Sequence, residues 1–330
     1  MTSALVDAHA VSADPAMPFI ALALDAGYMQ ARLSEVLGER TRICAIRVTR
    51  WKPARRCLIE YDVSLGRTPS SLLTWIGKVR ARSFDEVTYT LTSRLGAALT
   101  AAADSPVAVP ATRGAVPECH MWLQDKVAGE SGWSATSGLG GPDAARRIGG
   151  ALARLQRALP LHSRTHSMAD ELAILGAGLN HVRLAHPVLA RRVDAVQRAC
   201  ERAAATVSKA PALGIHRDFY HDQVLVDARR VWMLDLDLSA QGDPALDVGN
   251  FVAHLTEQSL RLHGDGAARA AAETAFVEGF HAEGGAATAH AIGMFKTLSL
   301  ARLVYISTIL EARRSFTPAL LKLCEQRLHL

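Results

Sequence analysis

The sequence predicts an α+β chain with a small β-rich N-terminal lobe and a larger, mostly helical C-terminal lobe. Three observations predict it: period-2 alternation confined to the first third, helical apolar spacing after Gly129, and a single hairpin among the later helices. At roughly 100–200 residues per domain, 330 residues accommodate two such parts. The division is drawn at 1–125, a β-rich lobe with a preceding helix, and 126–330, a helical lobe carrying a polar loop and the hairpin. With 49% hydrophobic and 21% charged residues the chain has enough apolar side chain to build a core, which excludes disordered and collagen-like classes.

Met17 to Leu37 is predicted as the first helix. Ile43 to Arg50 follows as a strand, and Trp51 to Arg56 as its connection, with Pro53 supplying the turn. Next, Cys57, Ile59, Tyr61 and Val63 alternate with Leu58, Glu60 and Asp62, the pattern of a half-buried strand. Leu72 to Arg80 is a third strand, Phe84 to Ala101 a helix, and Val107 to Pro110 and His120 to Gln124 two short strands. Beyond Gly129, Ile148, Leu152, Leu155 and Leu159 step by 4, 3 and 4 along one helical face. Met168 to Leu184 and Val188 to Val207 continue as helices. Val224 to Val226 and Val231 to Leu234 form a hairpin around a four-residue loop, and helices run from there to Leu330.

The charge is local. Of 37 basic residues seven fall between Arg40 and Arg56, a window without an acid; the rest of the chain has 30 bases against 32 acids, a net of −2. One patch with few aromatics suits a phosphate site and predicts no nucleic-acid partner. The five cysteines are scattered, without a CxxC or Cys/His cluster, so neither a disulfide framework nor a zinc site is expected. No run of about 18 uninterrupted apolar residues occurs, Arg302 breaking the best candidate, and the N-terminus lacks a basic start and an apolar core. The expectation is a soluble, cytoplasmic protein without a membrane partner.

Three pieces carry chemistry. Lys78 sits in an apolar strand, Trp75-Ile76-Gly77-Lys78-Val79, where burying an ammonium is costly unless an anion meets it. The loop His216-Arg217-Asp218-Phe219-Tyr220-His221-Asp222-Gln223 offers a carboxylate for a hydroxyl proton and, five residues on, an amide oxygen suited to Mg²⁺. Leu234-Asp235-Leu236-Asp237 ends the hairpin, and strand alternation would turn both acids towards one cation. In Gly242-Asp243-Pro244-Ala245-Leu246-Asp247, Asp243 is the expected N-cap of the next helix with Pro244 at its first position.

In this order the three pieces resemble the aminoglycoside phosphotransferase and choline kinase group, small-molecule kinases of the protein-kinase-like fold; the likeness spans Ile43 to Ala253. The resemblance implies an ATP- and Mg²⁺-dependent transfer of a γ-phosphoryl group, from ATP or another purine nucleoside triphosphate, to a hydroxyl of a sugar, aminoglycoside or amino alcohol. Position by position it implies Asp218 as the base, Gln223 and Asp235 on the metal, to which alternation would add Asp237, and Lys78 on the α/β-phosphates with Glu86 as its ion-pair partner. Asp125, Lys126 and Val127 would offer backbone contacts to adenine. Two departures stand out. Gln223 occupies a place where most of the group has Asn, which also resembles the maltokinase-like branch. No Gly-rich loop joins the first two strands; Lys52, Arg55 and Arg56 stand there instead, as side-chain partners for phosphate. The same departures support the competing reading, a pseudokinase-type nucleotide-binding or scaffold module without transfer. A nucleotide-sugar glycosyltransferase built on Asp235-Leu236-Asp237 would leave Lys78 and Asp218 unexplained.

Overall fold

The computed structural model describes residues 8–66, 72–100, 105–160 and 164–330. The start of the N-terminus examined for a leader, and Ala101 at the expected end of its helix, lie outside them. The chain forms two compact units, Met1–Ala103 with Ala108–Ala128, and Asp104–Val107 with Gly129–Leu330.

The first unit opens with helices α1 (Ala8–Ser12), α2 (Ile20–Leu24) and α3 (Ala26–Leu37). The single helix expected over 17–37 is broken at Asp25, whose carboxylate accepts the Tyr28 N–H at 2.6 Å and so starts a new helix. Strands β1 (Thr41–Lys52), β2 (Arg56–Leu65) and β3 (Leu73–Arg80) form an antiparallel meander. Helix α4 (Glu86–Thr100) and the two-residue β4 (Val107–Ala108) lead to β5 (Thr112–Val116) and β6 (Met121–Asp125). The five-stranded order is β1-β2-β3-β6-β5. Strand β5 has no sequence signal, because Thr-Arg-Gly-Ala-Val is too short and mixed to alternate.

Cys57, Ile59, Tyr61 and Val63 all face the core, as their spacing requires, and pack with Trp75, Val79 and Met121. Gly77 is needed there, since a Cβ would meet Met121 Sδ at 2.6 Å and the Tyr61 ring at 2.9 Å. Two bulges interrupt β1, at Cys44 and Thr49, where its register on β2 jumps from Ile43 to Ala45 and from Val48 to Arg50.

The second unit contains β7 (Glu130–Ser131), α5 (Gly132–Ala135), α6 (Gly141–Ala158), β8 (Thr165–His166), α7 (Met168–Ala185), α8 (Ala190–Ala204) and β9 (Leu213–Ile215). The hairpin of β10 (Val224–Val226) and β11 (Val231–Met233) follows, then β12 (Ala240–Gly242), α9 (Ala245–His263), α10 (Ala270–Ala282), α11 (Ala289–Ile309) and α12 (Thr317–Arg327). Ile148, Leu152, Leu155 and Leu159 are buried as predicted. Helices α6 and α10 touch backbone to backbone: a Cβ on Gly149 would fall 1.9 Å from Phe276 O, and one on Gly279 2.1 Å from Arg146 O. Strands β8, β12 and β9 form a small sheet, parallel on one side of β12 and antiparallel on the other. Helix α11 is long and apolar enough to cross a membrane by composition, yet 67% of that stretch is buried against the unit's other helices.

Candidate active site

Strand β9 delivers the chain into the loop 216–223, and buried side chains fix each of its turns. Asp247, in the first turn of α9 and fully buried, accepts the His216 N–H and the Arg217 N–H at 2.8 Å each, and the Gln156 amide at 2.9 Å. This holds Arg217 in the left-handed region at φ +69°, a conformation that costs of order 1–3 kcal/mol for a residue with a side chain. The His216 ring donates from Nε2 to Leu234 O at 2.7 Å, since a carbonyl only accepts, and so ties the loop to the hairpin. Phe219 is buried in a stack with Phe251 and Phe276. Its carbonyl accepts the Asn250 amide at 2.9 Å. Asp218 is therefore clamped between two fixed neighbours.

Asp247, Asn250, His254 and Glu257 step by 3, 4 and 3 along α9, yet they divide: Asp247 and Asn250 brace the loop, His254 stacks on Tyr220 with ring centroids 4.6 Å apart, and Glu257 pairs with Arg261 at 3.3 Å and Arg313 at 3.8 Å. The spacing by 3 and 4 showed a polar face; it gave no means of telling bracing from lining.

The half-buried Asp218 has its carboxyl raised above the ordinary carboxylate range, first by burial and then by the like charge of Asp235. Arg302, His216 and the Gln223 amide oppose that shift. A carboxylate offers no proton, so the Gln223 side chain turns its NH₂ to Asp218 and keeps its carbonyl oxygen for another partner. Gln223 is brought to this position by the hairpin: Val224 pairs with Met233, and the Leu234 N–H donates to Gln223 O at 2.9 Å, one step further along the ladder.

Beyond that step the strand ends, which corrects the argument from alternation. Asp235 lies in the left-handed region (φ +57°, ψ +66°), and Leu236–Leu238 form a 3₁₀ turn closed by Ser239. Asp237 belongs to that turn, so no pleat aligns it with Asp235. Among the described residues no three His, Cys, Asp or Glu side chains gather at metal-binding distance. The donors brought together, the Asp235 carboxylate and the Gln223 carbonyl, are hard oxygens suited to Mg²⁺, and two neighbouring carboxylates favour a cation between them.

In the first unit Lys78 lies on β3, paired with Leu58 of β2 and Trp122 of β6, so its strand is interior to the sheet. Its Nζ stands 5.0 Å from the centroid of the Trp122 ring. Glu86 is exposed in the first turn of α4, where it complements the helix dipole. Asp125 is held by Arg113 through two bonds of 2.6 Å. The Lys126 N–H donates to Thr74 O at 2.9 Å and its ammonium pairs with Glu60 at 2.7 Å, so that amide is already committed. Val127, half-buried after β6, has no backbone hydrogen bond among the described residues.

Arg55 is exposed at the tip between β1 and β2. Asp14 shapes that tip by accepting the Trp51 indole N–H at 3.0 Å and the Ala54 N–H at 2.9 Å. The Lys52 ammonium is depressed by partial burial and then by Arg56, Arg50 and Arg55, the mark of crowded like charges.

The sequence profile of the phosphotransferase enzyme family matches residues 66–283, about two thirds of the chain. No curated protein matches in sequence. Among solved structures, a choline/ethanolamine kinase family protein from Mesorhizobium loti superposes with a TM-score of 0.55 at 16% identity, covering 79% of this chain and 86% of its own. A macrolide 2′-phosphotransferase from Brachybacterium faecium gives 0.54 at 17% identity over 90% and 97%. Spectinomycin phosphotransferase, solved with ADP and spectinomycin, gives 0.58 at 10% over 93% and 99%. These likenesses show the mixed α+β, protein-kinase-like fold. With the family profile spanning both the Lys78 strand and the loop that holds Asp218, the chain belongs to the phosphotransferase enzyme family.

Proposed function

We propose that this phosphotransferase is a small-molecule kinase that moves the γ-phosphoryl group of ATP, carried with Mg²⁺, to a hydroxyl of its acceptor. The observation that carries the reading is the clamped loop, which sets Asp218 beside Gln223 and Asp235. Asp218 accepts the hydroxyl proton as the acceptor oxygen bonds to the γ-phosphorus and ADP leaves. Its raised carboxyl makes it a better base than an exposed aspartate. Gln223 and Asp235 hold the cation, which supplies charge neutralisation to the phosphates when bound. Lys78 takes the α/β-phosphates, and Lys52 and Arg55 supply by side chain what a Gly-rich loop supplies by backbone. ATP as donor, together with five unpaired cysteines, fits the cytoplasm.

Calorimetric titration of ATP with and without Mg²⁺ tests this, alongside a transfer assay. Wild type should bind only with metal, Asp235→Ala should lose binding, and Asp218→Asn should keep binding while transfer falls about 10²–10⁴-fold. Metal-dependent binding with hydrolysis unchanged in Asp218→Asn would favour the non-transferring module instead. Absence of purine nucleotide binding would end the kinase reading.

A further inference from the structure

The acceptor's chemistry is written in an arginine of α11 that the sequence shows only as a break in an apolar run. Arg302 is half-buried between Ala301 and Leu303, both buried. One terminal nitrogen donates to Asn250 Oδ1 at 2.9 Å, and the Asn250 amide nitrogen donates in turn to Phe219 O at 2.9 Å. Two hydrogen bonds through one buried amide therefore fix this guanidinium to the residue that follows Asp218. A guanidinium has five N–H donors, and among the described residues the other four of Arg302 make no hydrogen bond or ion pair. Its charge nonetheless opposes the effect of burial on Asp218, and it reaches Glu171 and His254 as well.

The charges around it are uneven. Glu171 is committed to His166 at 2.6 Å, and Glu257 is shared by Arg261 and Arg313. Burial, then the charge of Arg302, the neighbouring His221 and Arg313, hold the His254 imidazole well below its ordinary range. Arg217 adds its charge at Glu171. Glu171 and Glu257 are thus already committed, whereas Arg302 has donors to spare.

We propose that Arg302 receives an anionic oxygen group of the acceptor, a carboxylate or a phosphate, while the acceptor's hydroxyl meets Asp218, so that the substrates are hydroxy acids or phosphorylated alcohols and not polyamines. The inference rests on the phosphotransfer reading and narrows it. A planar fork matches either group through paired N–H···O bonds, and it offsets the repulsion between an anionic acceptor and the triphosphate. The reaction balances as above: the acceptor O–P bond forms, the bond from the γ-phosphorus to the β–γ bridging oxygen breaks, and the hydroxyl proton passes to Asp218.

The test measures ADP release by wild type with four sets of probes: glycerate and gluconate, glycerol 3-phosphate and glucose 6-phosphate, glycerol and glucose, and choline, glucosamine and kanamycin. Stimulation confined to either anionic set is expected, and which set responds separates carboxylate from phosphate. For the acceptor found, Arg302→Gln should raise KM roughly 10- to 100-fold with a smaller change in kcat, and Arg302→Lys should recover part of the loss. Circular dichroism checks that both variants fold. Stimulation by neutral or cationic compounds, no stimulation by any anion, or an anionic acceptor whose KM ignores both substitutions would overturn the proposal. Failure of wild type to bind MgATP would instead strike the reading beneath it.

Discussion

The loop around Asp218 and the tip around Lys52 both gather charge, but they are built in opposite ways. In the loop, four buried groups (Asp247, Asn250, Gln156 and the His216 ring) spend their hydrogen bonds on fixing backbone and one another, and the one carboxylate left over is held in place. At the tip, Asp14 fixes the turn, while partial burial and then the charges of Arg56, Arg50 and Arg55 lower the affinity of Lys52 for protons. The difference separates two tasks. Chemistry at a hydroxyl needs a base placed to a fraction of an ångström, which only satisfied, buried polar groups can secure. Holding phosphate needs charge more than position, and long exposed side chains supply it.

The contrast breaks most visibly at Asp247. Asp247→Ala leaves two backbone N–H groups and the Gln156 amide without their acceptor in a buried site, at about 1–3 kcal/mol for each. Thermal unfolding should therefore start roughly 5–10 °C lower, with transfer activity falling further than nucleotide affinity. A tip-sized effect on stability would mean that the loop is less fixed than its hydrogen bonds imply. Removing the tip's charge should do the reverse. Lys52→Ala combined with Arg55→Ala should raise the KM for ATP by about tenfold at low salt, leave kcat within about twofold, and shift the melting temperature little; in 0.5 M salt the defect should shrink. A fall in kcat instead would give the tip a placing role.

The smallest effect sharpens the comparison from inside the loop. A carboxyl raised in the folded state binds its proton more tightly there than in the unfolded chain. Its stabilising contribution is complete below the unfolded value of 3.8 and is lost as pH rises through the folded one. Ionised Asp218 thus weakens the fold at neutral pH. Asp218→Asn should melt a few degrees higher near pH 7, the gain fading on acidification towards pH 4, as differential scanning calorimetry would show. A lower melting point at pH 7 would mean that Arg302 and Gln223 outweigh burial.

Much of this was legible in the sequence because long-period signals survive in long elements. Four residues of β2 alternate, three of α6 and the Leu159 that caps it step helically, and all eight are buried. Lys78 stood out because its strand neighbours are apolar, and the structure puts that strand inside the sheet. The three-stranded sheet of β8, β9 and β12 left no trace, since two- and three-residue strands are too short to show a period. Asp235 misled for a related reason. Alternation presumes a pleat, and the chain leaves the strand at Met233 for a left-handed residue that no periodicity reports. Asp25 illustrates local capping winning over a helical pattern. The roles of Asp247 and Arg302 come from contacts 30 and 52 residues away along the chain, which spacing cannot encode.

The bulge at Cys44 has a practical corollary. By dropping out of register it leaves that thiol on the surface, while the other four are buried. Burial also pushes Cys57 and Cys200 up to about 12, Cys119 up to about 11 and Cys324 higher still, so their thiolates are scarce at neutral pH. A maleimide dye should therefore attach once per molecule, at a known place on the first strand. That gives the native chain a fluorescent reporter of the N-terminal sheet with no engineered cysteine.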